Sequence, residues 1–106
     1  MTNIKYGIDN LPRVIPESLT SVIYGQSIKP KKVFHWLKDI GNIESHEMLK
    51  TFNCGIGMCI IVQASKANQV LKNFIRHGEE ASIIGKLKDK TDNRELIIVD
   101  ENKIWV

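Results

Sequence analysis

Cysteine is scarce in this chain of 106 residues, and Cys54 and Cys59 are the only two. Their spacing matches no zinc pattern, and in a reducing compartment they stay as thiols. His35, His46 and His77 lie scattered, with no second ligand at metal spacing, so these residues build no metal site. No apolar run approaches the roughly 20 residues that a membrane span needs, which leaves no membrane partner. The start, Met1-Thr2-Asn3-Ile4-Lys5, lacks the charged head and apolar stretch of a signal peptide. The expected location is therefore the cytoplasm.

Charge of one sign is also lacking. The net charge is +3, and the only local lysine cluster is Lys29, Lys31 and Lys32. Clustered lysines can track a phosphate backbone, but three at a helix start read as a solvated edge. No nucleic-acid partner is expected. What remains is ordinary: 42% hydrophobic and 25% charged residues, the balance of a globular domain. The length suits a single domain, residues 1–106, with one modest core.

Several segments carry local signals. Asn10-Leu11-Pro12-Arg13 reads as a helix start, with Asn10 as its cap, Pro12 in the first turn and Pro16 as its stop. Leu19 to Tyr24, β-branched and aromatic and closed by Gly25, reads as a strand. From Lys31 to Ile40 the apolar residues Val33, Trp36, Leu37 and Ile40 recur at helical spacing, which predicts a buried stripe capped by Gly41. A shorter helix is expected from Ser45 to Phe52. Ile56 to Val62 is apolar without alternation, the pattern of a strand buried on both faces. Ser65 then caps a helix to His77, with Ala67, Val70, Leu71, Phe74 and Ile75 inward and Gly78 as its end. Ser82 to Leu87 predicts a strand, and Lys88 to Arg94 a surface loop. Leu96–Val99 and Ile104–Val106 suit a terminal hairpin around a four-residue connection. The expected fold is α/β or α+β: a single mixed sheet with helices packed on it.

Four stretches resemble one family in order and spacing, over about residues 8 to 87. They are Asp9-Asn10-Leu11-Pro12-Arg13-Val14-Ile15-Pro16, the helix from Pro30 to Leu37, Thr51-Phe52-Asn53-Cys54-Gly55-Ile56-Gly57-Met58, and Ile84-Gly85. They are similar to the C-terminal domain of phosphoribosylformylglycinamidine cyclo-ligase, also called aminoimidazole ribonucleotide synthetase. The resemblance implies ATP-dependent ring closure of formylglycinamidine ribonucleotide to aminoimidazole ribonucleotide, a step of purine biosynthesis. ATP activates the amide oxygen as its phosphate, and the amidine nitrogen closes the ring. The resemblance also implies ATP and Mg2+ as cofactors of the complete enzyme, with neither expected to bind this chain tightly by itself.

Two departures from the family stand out. The N-terminal domain that carries most ATP-binding residues and the main dimer contact has no counterpart in these residues. Where the family has a Thr-Gly-Gly-Gly turn, this chain reads Ile4-Lys5-Tyr6-Gly7, which counts against a phosphate site at that edge. The chain by itself is therefore expected to be inactive.

The candidate substrate-binding residues are Asn10, Arg13, Asn53, Gly55 and Gly57. Arg13 can grip a substrate phosphate in bidentate fashion or lie on a solvated face. Asn10 can contact substrate or merely cap. Asn53, Gly55 and Gly57 form a helix-to-strand turn, either approaching substrate or supplying backbone freedom. Met58, Cys59 and Trp36 read as core, and no catalytic residue is identified. Asp9 and Glu17 lack a defined geometry for magnesium.

Three functions stay open: part of a cyclo-ligase completed by an N-terminal half and taking a nucleotide substrate, a truncated non-catalytic remnant, or a stand-alone nucleotide-binding or oligomerisation module. The implied loss of upstream strands would leave an edge open at Leu19–Tyr24 or Ile56–Val62, so a homo-oligomer, most simply a dimer, is expected.

Overall fold

The computed structural model describes residues 8–105, with side chains from Leu11 onward. Three strands form one mixed sheet: β1 (Leu19–Tyr24), β2 (Gly85–Asp89) and β3 (Leu96–Val99), in the order β2-β1-β3. β2 runs antiparallel to β1, from Leu19 opposite Asp89 to Ile23 opposite Gly85. β3 runs parallel to β1, from Ser21 beside Leu96 to Tyr24 beside Val99. Three helices complete an α+β fold: α1 (Lys32–Ile40), α2 (Ser45–Thr51) and α3 (Ala67–Arg76).

β1 is the centre of the sheet because both of its edges are paired. Its β-branched middle is buried, with Val22 and Ile23 at 7% and 4% exposure. Ile23 shares a face with Leu96 and Ile98, and that face meets Ile28, Met48, Leu49, Cys54 and Ile104 to form the core. Phe34 and Leu37 of α1 and Phe52 after α2 pack against it. The Phe34 and Phe52 rings lie 6.1 Å apart and tilted, a favourable aromatic arrangement. Neither the core nor the half-buried side chains against it include any residue of α3.

Several local expectations are corrected. The first helix is a 3-10 turn over Ile8–Val14, starting before Asn10 and containing Pro12. Proline removes amide donors and Pro16 bars an α-helical approach, so only tight i→i+3 bonding survives. The side chain of Asn10, and hence its capping role, lies outside the described side chains. In α1 the helix is as expected but the buried side is not. Val33, Trp36 and Ile40 are 53%, 58% and 67% exposed; of the expected stripe only Leu37 packs on the core, joined there by Phe34. Its left-handed end residue is Asn42 (φ 49°), not Gly41 (φ −87°), which agrees with asparagine's tolerance of that conformation. α3 begins after a 3-10 turn at Ala64–Lys66, without a side-chain cap from Ser65. It does end at left-handed Gly78, whose neighbour Glu79 returns an N–H to Phe74 O at 3.0 Å. Ile75, placed on the inner stripe, is 56% exposed.

The largest correction concerns Ile56 to Val62. It is no strand; its backbone is irregular, and Met58, Ile60, Ile61 and Val62 are 80%, 53%, 50% and 40% exposed. Ile56–Val62 joins neither outer edge of the open sheet, that of β2 or that of β3. Leu19–Tyr24, the other expected open edge, is closed, because both edges of β1 are occupied. The strand expected at Ser82–Leu87 forms at Gly85–Asp89, within reach of its β1 partners, and takes in part of the expected loop. No hairpin closes the described chain. Asp100 turns left-handed (φ 53°), a 3-10 turn covers Glu101–Lys103, and Ile104 drops into the core at 2% exposure.

Candidate functional site

The turn after α2 is built by its own side chain. Asn53 Oδ1 accepts the Gly55 N–H at 3.0 Å, and the Asn53 carbonyl accepts the Ile56 N–H at 2.9 Å. Cys54 and Gly55 are both left-handed, with φ of 50° and 95°. Cys54 is fully buried and its thiol donates to the Met48 carbonyl at 3.6 Å. Burial pushes that thiol from 9.0 up to about 11, because the interior disfavours the thiolate. It is an inert packing group, not a nucleophile.

Gly55 is needed for its φ more than for room. A Cβ there would meet the Lys29 carbonyl oxygen at 3.5 Å and Lys31 N at 3.8 Å, ordinary contact distances. Those contacts set the Asn53 turn directly beside the Lys29–Lys32 stretch, whose lysines are exposed. Gly57 is different. Its φ is not left-handed and a side chain there would touch nothing within 4 Å, so neither packing nor strain requires glycine.

Arg13 is exposed at the end of the first 3-10 turn and makes no hydrogen bond or ion pair among the described residues. That turn packs on α2, and α2 leads into Asn53. The two groups of sequence candidates therefore share α2 as a neighbour, though no bond joins them. The Arg13 guanidinium stands exposed to solvent. Asn53 has spent its carbonyl oxygen on Gly55 and retains the Nδ2 donors.

Met58 and Cys59, expected in the core, stand exposed just beyond this turn. Met58 at 80% exposure is an apolar side chain presented to solvent. Trp36 is likewise exposed. The tryptophan that does pack is Trp105, whose Nε1–H donates to Ser45 Oγ at 2.7 Å. His35 meets its ring edge-on at 5.3 Å, and Lys38 Nζ lies 5.8 Å from its centroid. Sequence reasoning placed Trp105 in a hairpin and missed this clasp, which has no local signal.

A second feature was also missed. At the carboxyl ends of the parallel pair β1 and β3, a shallow cavity of about 370 Å³ is lined by Tyr24, Gly25, Gln26, Ser27, Val99 and Asp100. Gly25 lies so close to the Asp100 carbonyl oxygen that any Cβ would collide with it. Gln26 Nε2 reaches Asp100 Oδ2 at 3.4 Å. A glycine closing a strand was legible; its meeting with Asp100 was not. Among the described residues no three of His, Cys, Asp and Glu stand together as a metal site. No described helix is long and apolar enough to cross a membrane.

Comparison with known families adds one finding. The family model described as AIR synthase related protein, C-terminal domain, matches residues 8–97. The match spans the Arg13 turn, the Asn53–Gly57 turn and all three strands into Ile97.

Proposed function

The chain belongs to the AIR synthase related family through its C-terminal domain, and from that membership we propose that it is the C-terminal part of phosphoribosylformylglycinamidine cyclo-ligase. On this reading it closes the imidazole ring of aminoimidazole ribonucleotide together with an N-terminal domain, and formylglycinamidine ribonucleotide is the substrate. The observation that supports the reading most is the Thr51–Met58 segment. It resembles the family's turn residue by residue, and it sits beside exposed lysines.

Each candidate has a physical role in this reading. Arg13, exposed and always cationic, holds the substrate phosphate. Asn53 Nδ2 donates to a substrate oxygen, and the open space at Gly57 lets the ligand approach the backbone. ATP and Mg2+ enter this reading as cofactors of the complete enzyme, and no step is assigned to them here. The chain's own contribution is positioning, which lowers the barrier by holding nitrogen against carbon. Homo-oligomerisation accompanies this reading, and the cytoplasm, where purine precursors are made, is its location.

The test is complementation in trans. The purified chain is mixed with the N-terminal domain of a complete cyclo-ligase, ATP, Mg2+ and formylglycinamidine ribonucleotide. The expected result is no aminoimidazole ribonucleotide from either part alone and steady product from the mixture. Turnover by the chain alone overturns the division of labour, and a silent mixture overturns the cyclo-ligase reading.

A further inference from the structure

We propose that the cavity at the carboxyl ends of β1 and β3 binds the guanine base of a nucleotide, with Asp100 as the residue that selects it. This inference stands apart from the ring-closure reading, because none of Arg13, Asn53, Gly55 and Gly57 lines that cavity.

Backbone forms its floor. β1 and β3 run parallel, and Tyr24 stands beside Val99 at their carboxyl ends. A Cβ on Gly25 would collide with the carbonyl oxygens of Val99 and Asp100, so only glycine lets the two strand ends come this close. The chain then turns away on both sides. Ser27 Oγ donates to the Tyr24 carbonyl at 2.6 Å, and the Lys103 N–H donates to the Asp100 carbonyl at 2.9 Å. Between the two turns lies the opening of about 370 Å³, within the size range of small-ligand sites. The carboxyl ends of parallel strands are also where open α/β sheets take their ligands.

The lining selects the ligand. Tyr24 and Val99 are 37% and 41% exposed, and they give a planar base a ring and an apolar surface to stack on. Asp100 supplies a polar edge. Its backbone is left-handed (φ 53°), and among the described residues its carboxylate accepts only one long hydrogen bond, from Gln26 Nε2 at 3.4 Å. Gln26 Nε2 with the two Asp100 oxygens therefore reads donor, acceptor, acceptor. Guanine reads the complement: O6 accepts, and N1–H and the 2-amino N–H both donate. Hypoxanthine lacks the 2-amino donor. Adenine fails twice, with an amino group facing the Gln26 donor and a lone pair on N1 facing the carboxylate.

Lys86 favours a phosphate and counts against a cationic ligand. It is exposed and pairs with Val22, which places it on the same face of the sheet as Tyr24. The two are diagonal neighbours across the strands, about 7–8 Å apart.

The experiment titrates the full chain calorimetrically with the 5′-monophosphates of guanosine, inosine and adenosine. The guanine nucleotide is expected to bind with Kd below about 1 mM, the inosine nucleotide about tenfold more weakly for its missing hydrogen bond, and the adenine nucleotide more weakly still. Asparagine tolerates the left-handed backbone, so Asp100→Asn should keep the wild-type melting temperature. It is expected to weaken the guanine nucleotide about tenfold or more and to erase its advantage over inosine. Lys86→Met is expected to weaken the guanine nucleotide and leave free guanosine unaffected. Arg13→Ala with Asn53→Ser, in the other candidate site, is expected to change none of these affinities. Guanine-nucleotide binding weaker than about 1 mM overturns the inference. So does equal affinity for the adenine nucleotide, binding that survives Asp100→Asn or Lys86→Met undiminished, or binding lost with Arg13 and Asn53.

Discussion

Two regions of this molecule carry similar apolar sequence and meet opposite fates. In the stretch from Thr20 to Cys54, apolar residues converge: Ile23, Ile28, Met48, Leu49 and Cys54 are buried and form most of the core. In the stretch from Ile56 to Ile83, Met58, Ile60, Ile61, Val62, Ile75 and Ile83 are exposed. Hydrophobicity does not separate the two. Partnership does: the first region has β1, paired on both sides, as its floor, and the second joins none of the three strands. An apolar segment is a promise of burial that some other surface has to keep.

The sharpest way to break this comparison uses one residue type in both regions. Met48 is fully buried and Met58 is 80% exposed. Met48→Ala should destabilise the fold by about 2–5 kcal/mol, the range for emptying a core site. Met58→Ala, measured by urea melts at submicromolar chain, should stay within about 0.5 kcal/mol. Equal effects would erase the distinction between the regions.

The cysteines give the next contrast. Burial raises the Cys54 thiol to about 11, whereas in the unfolded chain it ionises near its ordinary 9.0. The folded state thus keeps its proton at pH values where the unfolded state loses it. The stability this reflects is complete below about pH 9 and is lost as pH rises towards 11, by something on the order of 2 kcal/mol. Urea midpoints of wild type and Cys54→Ala, compared from pH 8 to 11, should show this extra fall in wild type only. A thiol reagent should modify exposed Cys59 in the native state and reach Cys54 only on unfolding.

Tryptophan supplies a smaller contrast. Ser45→Ala strands the Trp105 indole N–H in a half-buried position and should cost about 1 kcal/mol. Trp36→Ala should change stability by less, about 0.5 kcal/mol or under, as for an exposed position. Denaturant melts followed by far-UV dichroism check both. If Trp36→Ala proved the more damaging, the orientation of α1 would be wrong.

The order of elements was open to a reader of the sequence wherever the signal is local. Leu19–Tyr24 declared itself a strand by its β-branched run, α1 by its spacing and cap, and α3's end by Gly78. The family was legible from the Thr51–Met58 turn, and the Asn53–Gly55 bond with its left-handed Gly55 is what that spelling produces. Which face of α1 is inward was not legible, because Val33, Trp36, Phe34, Leu37 and Ile40 are all apolar. A moment that broad allows more than one orientation.

The sequence determined a mixed α+β chain with a glycine-bearing turn ahead of an uncharged apolar segment, since helix caps, positive φ and strand propensity act within a few residues. The tertiary structure alone decided the rest. It paired β1 with β2 and β3, and it left Ile56–Val62 outside the sheet. It carried Trp105 back to Ser45 across 60 positions, and it set Gly25 against Asp100. Those outcomes depend on contacts between distant segments, and a strand's hydrogen bonds exist only when a neighbour arrives to share them.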